Sequence, residues 1–172
     1  MKEINYLEAI QTTTDHLQHG GVFLTVAGQD GANDNTMTIG WGSVGCIWGK
    51  PVFMVPVRPQ RHTFEMIKKA GEFTVSVPTK NPLKDELIFV GTKSGRDYNK
   101  FEGHGITAVP AQEVKAPIVG ECGLHVECRT LLVQDMTPDR MDEDISSRIY
   151  KARDYHTMFF GEIIRCYTTD EE

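Results

Sequence analysis

The spacing of apolar residues changes period several times along the chain, and each change marks an element. Leu7, Ile10, Thr14 and Leu17 recur at three- and four-residue steps, which predicts an opening helix that Gly20 and Gly21 end. The period then shortens to two. Val22, Leu24 and Val26 alternate with Phe23, Thr25 and Ala27, the pattern of a strand. QDGANDN is dense in turn formers and is predicted to close a hairpin onto NTMTIGWGSVG. In that second strand Met37, Ile39 and Trp41 share one side, and Thr36, Thr38 and Gly40 the other. Its glycines fit a bent strand, or one approached closely by a ligand.

KPVFMVPV reads as a further strand, which Pro56 confines to an edge or a bulge. FEMIKKAG is a short helix with Thr63 as its N-cap, and EFTVSVP alternates cleanly at Phe73, Val75 and Val77. Asn81 and Pro82 have the form of an N-cap and first helical residue for PLKDELIFVGT. SGRDYNKF is predicted to open another short helix capped by Ser94. GLHVECRTLLVQDM and HTMFFGEIIRCY are long alternating strands, and DRMDEDIS between them reads as a solvated loop. At least six strands, three or four short helices and no regular strand–helix alternation argue against a doubly wound parallel sheet. The expected fold is mainly β with inserted helices, an antiparallel barrel.

Composition narrows the function. The 172 residues favour one domain over positions 1–172. Twenty-four acidic against 18 basic side chains leave a net charge of −6, which argues against a nucleic-acid partner. No apolar run is long enough to cross a bilayer and MKEINYLEAI lacks a signal-peptide core, so a cytoplasmic protein without membrane contact is expected. Cys46, Cys122, Cys128 and Cys166 form no C-x-x-C pair and read as buried, reduced thiols. His16 and His19 lie three apart on the first helix, yet no carboxylate or thiolate stands at a ligating spacing, and no metal site is expected.

Against this acidic background VRPQRHT stands out. Arg58, Arg61 and His62 crowd the start of a helix, where the dipole disfavours each cation by up to about 1 kcal/mol. An external anion reverses the sign. A phosphate would accept hydrogen bonds from the Thr63 hydroxyl, the first-turn N–H groups and a forked guanidinium. The alternative is that Arg58 and Arg61 pair with surface carboxylates, of which the chain has many. GTKSGR has the wrong spacing for a nucleotide phosphate loop, and no G-x-G-x-x-G follows a strand. NTMTIGWG offers an amide, hydroxyls, flexible backbone and an indole, although Trp41 taken alone would read as core. SGRDYNKF adds an arginine and a lysine beside a turn glycine. A ligand with a phosphate at one end and a flat, hydrogen-bonding aromatic at the other would use all three segments, and flavin mononucleotide (FMN) has that shape.

In this order, NTMTIGWG, WGKPVF, VRPQRHT, GEFTVSVP and SGRDYNKF resemble the flavin reductase-like, FMN-binding split-barrel family, flavoredoxin-type members in particular, over about residues 20–165. The resemblance implies an antiparallel split β-barrel, a homodimer, and one non-covalent FMN per subunit near the interface. It implies ring contacts on Asn35, Thr36, Met37, Thr38, Trp41 and Gly42, and a phosphate end served by Arg58, Arg61, His62 and Thr63. Ser94 and Lys100 come from the last motif, with Lys100 beside the ring. His125 in GLHVEC and Phe159 in HTMFFGE match positions near the ring, and Phe160 does so if the strand is shifted by one residue. His62 and Asn99 stand where the family more often has an aromatic and an aspartate. No side chain is expected to be catalytic, because the flavin carries the chemistry. Two redox roles follow from the resemblance. One is a reductase with NADH or NADPH as transient co-substrate and free flavin, a ferric complex or a redox protein as acceptor. The other is an FMN electron carrier fed by a protein partner. A ligand-binding barrel without turnover is the non-redox alternative.

Overall fold

A computed structural model describes residues 1–29 and 32–169 of the chain, so part of the QDGANDN turn lies outside the described residues. The elements run β1 (Lys2–Glu3), α1 (Tyr6–His19), β2 (Val22–Val26), β3 (Asn35–Ile39), β4 (Ser43–Ile47) and β5 (Lys50–Val57). They continue with α2 (His62–Ala70), β6 (Glu72–Val77), α3 (Lys84–Thr92), β7 (Ala108–Val109) and β8 (Ile118–Val119). β9 (Leu124–Asp135), a 3₁₀ turn (Pro138–Arg140), α4 (Glu143–Ile149) and β10 (Thr157–Thr168) complete the chain. One sheet follows the path β3-β2-β6-β9-β10-β5-β4, with β1 on β10 and β7-β8 as a separate ladder. Every pairing is antiparallel.

Period-two alternation sorts the strand residues between two apolar layers. Leu24, Val26, Val75, Val126 and Phe159 enter the main core, onto which α1 and α2 lay Leu17, Phe64 and Ile67. Phe23, on the opposite face of β2, meets Leu87 and Val90 of α3 in a second cluster. β2 is therefore buried on both faces, and α3 is anchored over the sheet close to β3. Pro56 lies past the end of the β4 ladder, which stops at the Ser43–Met54 pair, so this part of β5 is an edge as its proline requires. Trp48 (φ 56°) and Gly49 (φ 70°) form the two-residue turn joining β4 to β5.

Four local expectations are corrected. Arg61, not Thr63, is the N-cap residue of α2, and Thr63 turns inward as its second residue. α3 starts at Lys84 behind Leu83, held at φ 41°, leaving Asn81 and Pro82 ahead of the helix. Packing of Leu83 on the second cluster outweighs the local cap signal. SGRDYNKF forms turns instead of a helix, with the Asp97 and Tyr98 N–H groups both bonded to the Ser94 carbonyl. DRMDEDIS holds the start of α4, whose N-cap Asp142 accepts from the Ile145 N–H and whose first turn carries Glu143 and Asp144. Of the cysteines, Cys46 is exposed and the other three are buried. Burial pushes the Cys166 thiol up to about 12. No helix among the described residues is long and apolar enough to cross a membrane.

β10 shifts register between Phe160 and Gly161, where an added Cβ would stand 2.6 Å from the Phe73 ring and 2.8 Å from Cys128 Cβ. Gly161→Ala is expected to destabilise by ~1–3 kcal/mol through overpacking. Gly45→Ala, with nothing within 4 Å, should stay within about 0.5 kcal/mol. Urea unfolding midpoints compare the two; equal midpoints would remove the steric account of this bend.

Candidate functional site

Three segments converge because α3 packs on β3. Thr38 donates to the Leu87 carbonyl, and a Cβ at Gly91 would stand only 3.2 Å from Thr38, so glycine permits the approach. The last turn of α3 then faces the first turn of α2, and the Ser94–Lys100 turns close one side. Two cavities, or lobes, flank Arg61, which lines both. The first lobe, about 290 Å³, lies against Met37, Thr38, Trp41, Pro56 and His156. The second, about 210 Å³, lies against His62, Thr63, Ser94, Gly95, Arg96 and Lys100.

The cations avoid the dipole of α2 by reaching the opposite end of α3. Arg61 Nη2 donates to the Gly91 carbonyl at 2.7 Å. Lys100 Nζ donates to the Val90 carbonyl at 2.9 Å and the Thr36 carbonyl at 2.8 Å. Carbonyls in the final turn of a helix lack helical partners and carry partial negative charge, so cations are favourable there. The two arginines part company at this point. Arg58 pairs with Asp154 and covers the Tyr150 ring, 5.6 Å from its centroid, which satisfies the carboxylate alternative. The Asp154 carboxyl is held below its usual range by the Arg58 hydrogen bond. Arg61, Arg96 and Lys100 have no carboxylate partner among the described residues.

That imbalance is legible in the titration of the second lobe. Lys100 is 2% exposed, and burial, then the Arg61 charge, lowers its pKa to about 8. Burial and Arg58 lower that of Arg61. His62 is also lowered, by burial, then by Arg96 and Lys100. Beneath the lobe, Asn35 Nδ2 donates to Thr63 Oγ1 at 2.8 Å while its Oδ1 is buried without a partner. Turning the amide exchanges the two atoms and still leaves one unpaired. A Cβ on Gly95 would collide with Asn35 Oδ1 and reach within 2.8 Å of His62, so only glycine fits this wall. Uncompensated cations beside a helix N-terminus give the lobe the chemistry of an anion cradle, to which the Asn35 amide could donate only in its turned orientation.

The remaining sequence candidates divide plainly. Thr36 is buried, its hydroxyl bonded to Thr25 and the Leu24 carbonyl, and only its own carbonyl serves the site, through Lys100. Trp41 is 48% exposed in the first lobe, not core. Gly42 packs its backbone behind the lobe, where a Cβ would meet the Phe53 ring at 2.9 Å. Lys100 lines the second lobe, away from Trp41. His125 is buried between Ser76 and the Cys122 carbonyl, Phe159 is core against Phe64, and Phe160 is half-buried; none of the three lines either lobe. Sequence reasoning missed His156, which faces Trp41 with ring centroids 5.2 Å apart. Burial and Arg58 lower its pKa to about 4. Its hydrogen-bond partner, Tyr150, lies across an irregular segment that carries no periodic signal.

Residues 16–172 match the flavin reductase like domain family. An uncharacterised protein of Pyrococcus abyssi is 33% identical over 153 residues, covering 87% of this chain and 74% of its own length. The flavoredoxin of Desulfovibrio vulgaris (Miyazaki F) is similar in structure with a TM-score of 0.68 at 24% identity, over 88% of this chain and 70% of its own. The flavoredoxin from Methanosarcina acetivorans gives 0.65 at 26% identity, over 88% and 69%. The fold is the expected antiparallel split barrel with inserted helices.

Lys100 gives the anion cradle a pH signature. Sulfate keeps its charge throughout the range and should raise the melting temperature at neutral pH beyond a chloride control of equal ionic strength. The increment should shrink as the pH climbs past about 8, where Lys100 loses its proton. Without sulfate the Lys100 contribution has the opposite sign. The unfolded chain holds this proton up to 10.5 and the folded chain only to about 8, so raising the pH through that window relieves the fold. A sulfate increment that stays flat from neutral pH to pH 10 would exclude Lys100 from the cradle.

Proposed function

The chain belongs to the flavin reductase-like family, and from that premise we propose that it is a cytoplasmic FMN-binding oxidoreductase that passes electrons through the flavin. The observation that carries this reading is the pair Arg61 and Lys100, held by backbone carbonyls without a carboxylate and opening beside a lobe walled by Trp41. The phosphate would lie in the second lobe on Thr63, Arg61, Arg96, Lys100 and the first N–H groups of α2, with His62 and Ser94 at its edge. The ring would lie in the first lobe against Met37, Thr38 and the half-exposed Trp41. The bound flavin supplies the electron chemistry; the side chains bind it, orient it and set the charge around it.

An electron carrier fed by a protein donor is the reading that the two similar flavoredoxin structures favour. Direct oxidation of NADH or NADPH is the second reading, consistent with family membership. Anaerobic addition of each nicotinamide to the yellow protein separates them. Bleaching by a reduced redox protein alone supports the carrier, and rapid bleaching by NADH or NADPH overturns it in favour of the reductase.

Arg61→Ala should weaken FMN binding by ~10–100-fold, the loss of one charge-assisted hydrogen bond, measured by quenching of flavin fluorescence. Arg58→Ala, whose charge Asp154 already answers, should have a smaller effect. Equal affinities in wild type and Arg61→Ala would sink the phosphate assignment.

We further propose a homodimer. Leu131, Leu132 and Val133 are successive in β9 beside its register shift, and are 42%, 39% and 42% exposed. A second copy would cover them. Sedimentation should give a dimer, and Leu131→Glu with Val133→Glu should yield a folded monomer; a monomeric wild type counts against the interface.

A further inference from the structure

His156 enters β10 at the wall of the Trp41 lobe, and its two ring nitrogens meet different surroundings. Nδ1 lies 2.9 Å from the Tyr150 hydroxyl. Nε2 has no hydrogen-bond partner among the described residues and is not among the sealed, unpaired atoms, so it meets the cleft. The Tyr150 hydroxyl also lies 3.2 Å from Met136 Sδ. It has one proton to give. The hydroxyl can donate to Sδ while Nδ1–H donates to its oxygen, or donate to Nδ1 itself. A neutral imidazole nitrogen is a far better acceptor than a thioether, which favours the second arrangement, with the ring's own proton on Nε2.

The arrangement is braced from every side. Tyr150 is buried, stacked on Tyr155 at 4.8 Å between centroids and covered by the Arg58 guanidinium. Met136 N–H donates to the His156 carbonyl at 3.0 Å, tying the approach to β10 to the end of β9. The charged groups facing the imidazole are Arg58, which opposes its protonation, and Asp154, which Arg58 engages. His156 thus stays neutral well below physiological pH.

We propose that Tyr150 is a positioning residue that locks His156 as its Nε2–H tautomer, making it a fixed, uncharged hydrogen-bond donor into the Trp41 lobe. It suits an acceptor oxygen or ring nitrogen on the planar molecule bound there. The proposal rests on the cleft being a binding site, and its tautomer holds whether or not the ligand is FMN.

Long-range proton–nitrogen correlation spectra of the histidine-labelled protein at pH 7 read the tautomer directly, with His156 assigned by its absence in His156→Asn. The wild type should show a single tautomer, Nδ1 unprotonated and Nε2 protonated. Tyr150→Phe should move both nitrogens toward the averaged positions of a freely exchanging imidazole, and Tyr155→Phe should not. The other histidine signals report whether each variant remains folded. An averaged or Nδ1-protonated His156 in the wild type overturns the proposal without any variant, and so does an unchanged tautomer in folded Tyr150→Phe. FMN at saturation should shift the Nε2 proton signal and slow its exchange. FMN that quenches Trp emission yet leaves this signal in place overturns the donor role. Failure of FMN to bind a protein that keeps the single tautomer overturns the flavin reading and leaves the Tyr150–His156 lock standing.

Discussion

The last turn of α3 is where the site is decided. Its Val90 and Gly91 carbonyls have no helical partners of their own, and they accept from Lys100 and Arg61. Both cations also lie close to the start of α2, whose dipole has the opposite sign. A buried cation is ordinarily tolerated only when paired or hydrogen-bonded, and here backbone dipoles take the place of a carboxylate. A carboxylate would have neutralised the lobe. Carbonyls hold the two side chains in place and leave most of their positive charge available to something else.

Close packing makes this possible. Gly91 lets α3 press against Thr38, and Gly95 lets the following turn pass over Asn35. Neither glycine has a positive φ, so their role is space and not backbone conformation. The same contact carries Phe23 into its cluster with Leu87 and Val90, which fixes α3 against the sheet. Core packing and site geometry are thus one constraint viewed from two sides of β2 and β3.

What was legible in the sequence follows from how local each cause is. Alternation at Val22–Val26 and Phe73–Val77 depends on neighbours two residues away, and those strands are where the pattern puts them. The charge cluster at Arg58–His62 is local too, and so was the question it posed. Its answer was not. Arg61 finds its partner 30 residues on, and Arg58 finds Asp154 96 residues on, so the sequence could not tell the structural arginine from the free one. Caps failed for a related reason. Thr63 is drawn inward by Asn35, and Leu83 starts α3 because a cluster assembled from distant segments wants its side chain. The role of His156 gave no sign in the sequence because the group that gives it meaning, Tyr150, lies six residues away across an irregular segment with no periodic pattern.

The two lobes differ in what they demand. In the second, Lys100 and Arg61 repel one another, and both titrate below their ordinary values, so an anion would relieve that repulsion. In the first, Arg58 is answered by Asp154 and His156 is neutral, so nothing there calls for a formal charge. Affinity should therefore come mainly from the anionic end, where the electrostatic gain is large. Orientation should come from the Trp41 end, where a flat surface and a directed donor can discriminate poses at small energetic cost. A free anion would satisfy only one lobe and an uncharged ring only the other. A molecule that joins the two gains from both without a second loss of translational freedom, and Arg61, which lines both, would touch it at the join.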